Sequence, residues 1–303
     1  MINNTKQYTL IKWWRMIRPH TLTASFIPVI LGSILALENT NTIQWNLFLA
    51  MLIASVLIQI ATNLFNEYFD FKRGLDTADS VGIGGSIVRD GFQPRTISNL
   101  AKLLCFISLL IGLYICVNTN WWVGLAGIIC MAIGYLYSGG PRPIAYTPFG
   151  EIVSGLFMGL FILWISFYIQ TDTLSIRAVL ISLPIGFLVG AINMANNIRD
   201  LDNDQEKGRR TLPIILGHKR AVQVFSSVII TAYLWLVCLV MLKIVSFWVL
   251  VVFFSLPKAL QAINKFKIKA SAIVLMPAMR ATAQLSTLFG LLLFVGLVLE
   301  RII

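Results

Sequence analysis

The sequence predicts an all-α integral membrane protein of nine transmembrane helices, and three observations carry that expectation. Of the 303 residues, 57% are hydrophobic and only 12% charged, whereas a soluble domain carries about 25% charged residues. Mean hydropathy is +0.81. Nine apolar segments reach or approach the roughly 20 residues that a helix needs to cross a bilayer core of about 30 Å. With the N-terminus placed in the cytoplasm, all but three of the 24 Lys and Arg residues fall in or beside the inner connections. The exceptions are Arg177, Lys243 and Arg301. Such a bias orients membrane helices, and a wrong span count would scramble it.

Residues 1–20 are polar and basic, with Lys6, Lys12, Arg15 and Arg18. They lack a small-residue cleavage site, so the first span is expected to be retained. Trp13 and Trp14 suit the headgroup level, which predicts a cytoplasmic interfacial segment ahead of a single transmembrane domain over 21–303. The spans read as 21–38, 46–69, 99–117, 121–138, 149–169, 176–198, 221–242, 245–263 and 283–300. Between the fourth and fifth, Gly139, Gly140, Pro141 and Pro143 break the helix by backbone chemistry. Lys243 and its neighbours part the seventh from the eighth, and Pro257 is placed to kink or end the eighth. Arg280 falls in the connection to the ninth. Two inner connections are long, near 70–98 and 199–220. Long non-helical segments are commonly functional, so the chemistry is expected at the cytoplasmic face, in a multi-pass protein of the cell membrane.

Composition also narrows the function. A net charge of +11 follows from membrane orientation, and no zinc-finger spacing or RNA-binding signature accompanies it, so nucleic acid is not an expected partner. Cys105, Cys116, Cys130 and Cys238 lie in apolar runs without CxxC spacing and read as free buried thiols. His20 and His218 are far apart and flank basic loops, which argues against a His-based metal site or a Ser-His-Asp triad.

Two acidic motifs stand at helix ends. In NLFNEYFDFKRGLD, residues 63–76, Asn63, Asn66 and Asp70 recur at spacings of three and four and share one helix face. Glu67 lies one position round from it. Asp76 follows Gly74, where the helix is expected to end. In NMANNIRDLDNDQEKGRRT, residues 193–211, Asn193, Asn196 or Asn197, Asp200 and Asp204 recur in the same way and predict an oxygen-rich stripe down the last turns of the sixth span. Asp202 and Glu206 point elsewhere, towards solvent. Polar groups at the end of an apolar helix are costly against lipid and usually face the bundle interior. Carboxylates and amides are ligands for hard cations, and Mg²⁺ takes one or two carboxylates and completes its shell with water and phosphate oxygens. Two facing stripes would hold Mg²⁺ and clamp a diphosphate. Lys72, Arg73, Lys207, Arg209 and Arg210 suit phosphate oxygens, and Arg18 is within reach of the same site, although membrane orientation alone also places cations here. Tyr137, Arg142 and Tyr146 are candidates to line the cavity, interfacial anchoring being the alternative. The loop SVGIGGSIVRDG, residues 80–91, carries no GK[ST] and so is not a Walker loop; it reads as a flexible loop or as a lid over the mouth.

At these residues the chain resembles the UbiA superfamily of intramembrane prenyltransferases. The family pattern, NxxxD on the second helix and DxxxD on the sixth, is met by Asn66–Asp70 and Asp200–Asp204. Against the common form NDxxDxxxD, Glu67 stands where Asp is usual. Gly74 stands at the last Asp, with Asp76 two residues on, so Asp76 is either a metal ligand or a helix end. The stretches RPHTLTAS, NEYFDFKRGLDTADS, GIGGSIVRDG, YSGGPRPIAYTPFGE and NNIRDLDNDQEKGRRTLPIILG are similar to the branch that prenylates 1,4-dihydroxy-2-naphthoate in menaquinone biosynthesis. The resemblance implies a UbiA-type bundle with cytoplasmic-side active-site loops. It implies Mg²⁺ bound by Asn66, Asp70, Asp76, Asp200 and Asp204, with Asn66, Asp70, Asp200 and Asp204 serving catalysis. Donor and acceptor would be a polyprenyl diphosphate and 1,4-dihydroxy-2-naphthoate, with loss of CO₂ giving a demethylmenaquinone, both tail and product lying among membrane lipid. Substrate contacts are expected from Arg18, Asn63, Lys72, Arg73, Tyr137, Arg142, Asn196, Asn197, Lys207, Arg209 and Arg210. The rivals are another acceptor (4-hydroxybenzoate, homogentisate, haem or a glycerol phosphate lipid), a secondary transporter and a scaffold. Transporter sites lie near the midplane on broken helices, whereas these stripes lie at helix ends, and a scaffold leaves the paired Asp residues unexplained.

Overall fold

The structure is a computed structural model that describes residues 11–76 and 85–303. Among the described residues, nine helices are long and apolar enough to cross a membrane, and no strand occurs. They are α1 (Thr23–Thr40), α2 (Trp45–Lys72), α3 (Pro94–Asn118), α4 (Trp121–Ser138), α5 (Gly150–Thr171), α6 (Ile176–Arg199), α7 (His218–Met241), α8 (Phe247–Phe266) and α9 (Ala272–Ile302). The chain is a multi-pass membrane protein.

Two expected boundaries move by five residues or more, and one expected break does not occur. α3 starts earlier, at Pro94, where a missing N–H costs the first turn nothing. α9 starts at Ala272, so Arg280 lies on a helix and not in a connection. The Ala-, Leu- and Met-rich run that precedes Arg280 has high helix propensity, and the exposed Arg280 keeps its charge at the surface. Pro257 neither ends nor interrupts α8. It sits at the first turn of an α-helical part, Leu256–Phe266, that follows a tighter 3₁₀ stretch, Phe247–Ser255.

α1 lies at the centre, against α2, α5, α6 and α9. α2 packs on α3 and α4, while α6 packs on α5, α7 and α9. α5 and α6 cross with their backbones close together. A Cβ on Gly159 would come within 2.4 Å of Gly186 Cα, and one on Gly155 within 2.6 Å of Gly186 O. Small residues permit this backbone contact, which is how helices associate where lipid removes the hydrophobic drive. In the same place α5 widens into a π-helical turn, Gly155–Phe161. At one end of the bundle, Arg177 pairs with Glu300 and Glu38, and Arg301 donates to Asn41. At the opposite end lie both acidic motifs and the described parts of the two long connections.

Candidate active site

α2 carries its polar residues through the last three turns because the apolar run before them is long enough to reach the bundle end. Asn63 donates to Thr21 Oγ1 (2.9 Å) and to the Ile17 carbonyl (3.3 Å), and accepts from Gln59 (3.3 Å). Asn66 accepts from Ser138 Oγ at 3.1 Å. The second motif departs from its expected shape. α6 ends at Arg199, and Asp200 takes a non-helical conformation. Asp204 belongs to a separate short helix, Leu201–Glu206, so the stripe bends at Asp200 and is not one continuous face. Gly208, with φ +77°, then turns the chain back, a conformation that glycine adopts without strain. The turn returns Arg209 to Asp204.

Arg209 joins the two motifs. It donates to Asp70 at 3.0 Å and to Asp204 at 3.3 Å, and its guanidinium lies 4.9 Å from the centre of the Tyr146 ring. Its Nε is buried without a partner. Burial works against the Arg209 charge, but Asp70 and Asp204 outweigh it and raise its pKa. Burial pushes the Asp204 carboxyl up to about 6, with Asp200 adding to the rise and Arg209 opposing it. Asp76 is likewise pushed up to about 6, by burial first and then by the charges of Asp70 and Glu67.

Several other candidates have partners of their own. Asp200 pairs with Arg199 through Nε at 2.8 Å, while Arg199 also faces the sulfurs of Met276 and Met279. Arg73 donates to the carbonyls of Ser138 and Gly140 and lies 5.2 Å from the rings of Phe69 and Tyr146, so it braces the α4–α5 connection. Lys207 donates to the Leu75 carbonyl. Lys72, Arg142 and Arg210 are exposed. Asp202 is exposed and pairs with Lys269 at 2.9 Å; Glu206 is exposed. Tyr137 Oη accepts from Asn193 Nδ2 at 2.6 Å, and Asn197 donates to Glu151 at 2.8 Å. Of the glycine-rich loop, residues 80–84 lie outside the described residues, as do residues 1–10 of the N-terminal segment. Residues 11–17 are helical, and Trp13 packs edge-on against Phe92 at 4.9 Å.

A cavity of about 630 Å³ runs between α1 and α6. Its polar end holds Arg18, Asn63, Asn66, Tyr137, Asn193 and Asn196, and Asp70 follows one helical turn past Asn66. The remainder is mostly apolar, with Ser55, Gln59 and Thr62 among its polar members, and reaches Met51 on α2 and Trp121 on α4. From Asn66 to Met51 this spans about 22 Å at 1.5 Å per residue. Leu109, Leu113, Leu125 and Ile128 line it and are themselves exposed, which brings the cavity to the outer face of α3 and α4.

Sequence reasoning missed Glu67 and Glu151. Both are buried, and no periodicity marks them. Only Glu67 carried a signal, as a charge one position round from the polar face of α2 and as the residue at the usual Asp of the NDxxDxxxD form.

The residues suit a hard divalent cation. Two carboxylates here, the buried Asp204 and the partly buried Asp70, share Arg209, and Asn66 and Asp76 add oxygen donors. Among the described residues no three acidic, His or Cys side chains converge tightly enough to form a site alone. Mg²⁺ takes the rest of its shell from substrate phosphate and water.

Residues 25–272 match the model of the UbiA prenyltransferase family. The chain is 54% identical over 287 residues to the 1,4-dihydroxy-2-naphthoate octaprenyltransferase of Bacillus subtilis, covering 95% of this chain and 92% of that one. It is 25% identical to the Escherichia coli protein of the same name, over 95% and 96% of the two chains. Among solved structures, a UbiA homolog from Archaeoglobus fulgidus bound to DMAPP and Mg²⁺ superposes with a TM-score of 0.64 at 17% identity, over 93% of this chain and 99% of that one. The apo UbiA homolog from Aeropyrum pernix gives 0.68 at 14% identity, over 92% and 98%.

Proposed function

The chain belongs to the UbiA prenyltransferase family, and from that premise we propose that it transfers a polyprenyl group from a polyprenyl diphosphate to 1,4-dihydroxy-2-naphthoate. CO₂ and diphosphate leave, and a demethylmenaquinone forms. The single observation that carries this reading is the junction of the two acidic motifs through Arg209, one helical turn beyond Asn66 at the polar end of a long, mostly apolar cavity. The 54% identity to the Bacillus subtilis enzyme supports the acceptor.

Asp70, Asp204, Asn66, Asp76 and Asp200 would hold Mg²⁺, which when bound neutralises the diphosphate and stabilises it as a leaving group. Arg209 and Arg18 supply fixed positive charge where negative charge develops, the arrangement that contributes most in a water-poor site. The apolar walls receive the prenyl chain and keep water from the allylic cation. Asn193 holds the Tyr137 hydroxyl at the wall, leaving its O–H free to orient an acceptor. The acceptor ring is already electron-rich and attacks through carbon, with carboxylate loss restoring aromaticity, so no strong general base is required. The end that bears the motifs is the cytoplasmic end of a cell-membrane protein, with the N-terminal segment at its surface.

Turnover by the detergent-purified protein tests the reading. A polyprenyl diphosphate is supplied with 1,4-dihydroxy-2-naphthoate, with Mg²⁺ or with EDTA, and with 4-hydroxybenzoate in parallel. The expected product is a prenylated naphthoquinol formed only with Mg²⁺. Product from 4-hydroxybenzoate alone would keep the chemistry and overturn the acceptor.

A further inference from the structure

We propose that Glu67 is a positioning residue that fixes Arg18 and the 85–92 turn at the diphosphate end of the cavity. Its carboxyl is 2% exposed, and both oxygens are engaged away from Arg209. Oε1 accepts from the backbone N–H groups of Gly85 (3.0 Å) and Ile87 (3.1 Å). Oε2 accepts from Arg18 at 3.2 Å. Two segments remote in sequence are thereby gathered on one carboxylate. The turn is closed by Arg89 N–H to the Gly85 carbonyl (2.6 Å) and by Phe92 N–H to the Ser86 carbonyl (3.1 Å). Lys12 donates to the Asp90 carbonyl at 3.0 Å, and Trp13 packs on Phe92. Ile87 is buried with Met16, Leu64 and Phe65.

A second observation separates this from an ordinary internal ion pair. Arg18 lines the cavity and is held in the left-handed backbone region at φ 55°. A non-glycine residue is strained there and persists only where its surroundings over-determine it. Glu67 supplies that constraint through a charge-assisted bond. Glu67 also follows Asn66 directly on α2, so the group that holds the 85–92 turn and a group that lines the cavity share one turn of helix. The chemistry that would meet Arg18 is the diphosphate of a prenyl donor, and to that extent the inference rests on the function proposed above.

The test compares purified wild-type, Glu67→Gln, Arg18→Gln and the double variant, with farnesyl diphosphate as donor and Mg²⁺ present. Glu67→Gln is expected to raise the donor KM by about tenfold, the worth of one charge-assisted contact, with kcat nearly unchanged. The double variant is expected to be no worse than Arg18→Gln alone, because both act through one guanidinium. An unchanged donor KM in folded Glu67→Gln, or losses that multiply, would overturn the proposal. Hydrogen exchange on the wild-type protein decides the matter if Glu67→Gln does not fold. The Gly85 and Ile87 amides are expected to exchange as slowly as the backbone of α2, and fast exchange at both would overturn it. Wild-type turnover without any Glu67 effect would sink this inference alone, whereas absent wild-type turnover would sink the functional reading and leave hydrogen exchange to judge Glu67.

Discussion

Asp70, Asp204 and Arg209 form one electrostatic unit, and removing different members should have different consequences. Asp70→Asn or Asp204→Asn removes a proposed cation ligand but not a packing group. Turnover is expected to fall by about 10²–10³-fold, while the thermal midpoint of the purified protein holds. Arg209→Gln leaves the buried Asp204 and the partly buried Asp70 without their shared counter-charge, which is destabilising. Its midpoint without metal is expected to drop, and added Mg²⁺ to raise it by more than in wild-type, as differential scanning fluorimetry would show. An equal Mg²⁺ response in the two proteins would mean that Arg209 does not stand in for the cation. Proton competition adds a pH dependence. Asp76 and Asp204 hold their protons up to about pH 6, above the usual carboxylate value, so the folded state binds more protons than the unfolded chain between about pH 4 and 6. Their contribution to stability is therefore present at low pH and is lost as pH rises through that window. Cation binding requires the ionised forms. Mg²⁺ affinity, measured by calorimetry, is expected to rise with pH through about 6 and level off above it.

At the scale of elements, the site depends on the α5–α6 crossing. Gly155 and Gly159 admit the backbone of α6, and the crossing sets Asn197 against Glu151, while the same helix α6 holds Tyr137 of α4 through Asn193. A methyl group at Gly159 has no space, since the nearest atoms belong to the Gly186 backbone. Gly159→Ala is expected to cost about 1–3 kcal/mol, as overpacking does, and to lower turnover by displacing the Tyr137 wall. Thermal denaturation in detergent with a parallel turnover assay would check both. A midpoint equal to wild-type would show that the helices separate without cost. The break of α6 at Asp200 belongs to this scale too. Periodicity read a continuous stripe through Asp204, but the helix ends at Arg199, so Asp204 is presented by a short helix that can reach Arg209.

Over the whole molecule, the cavity joins a polar end to an apolar channel that reaches the outer face of α3 and α4. Gly112 and Gly127 line it, and a Cβ added at either meets nothing within 4 Å. Gly127→Leu is therefore expected to fill channel volume without disturbing the helix packing. Turnover with a long polyprenyl diphosphate should fall, while turnover with geranyl diphosphate should hold. Equal losses for both donors would place the prenyl chain elsewhere. The two ends of the bundle differ in kind. One is tied by Arg177, Glu38 and Glu300, and the other gathers every carboxylate and amide of the two motifs.

The sequence by itself determined that nine apolar helices cross a membrane and that both acidic motifs stand at helix ends. Hydropathy and helical periodicity are local properties, legible over about 20 neighbouring residues. The resemblance carried by Asn66–Asp70 and Asp200–Asp204 was legible for the same reason, since each pair lies within a few turns of chain. Partner choice was decided only by the tertiary structure. Arg209 stands between Asp70 and Asp204, Arg73 is spent on the carbonyls of Ser138 and Gly140, and Glu67 takes Arg18 and the 85–92 turn. A charge in a poorly solvated interior must find whichever opposite charge or N–H the fold brings to it, and those groups lie far away along the chain.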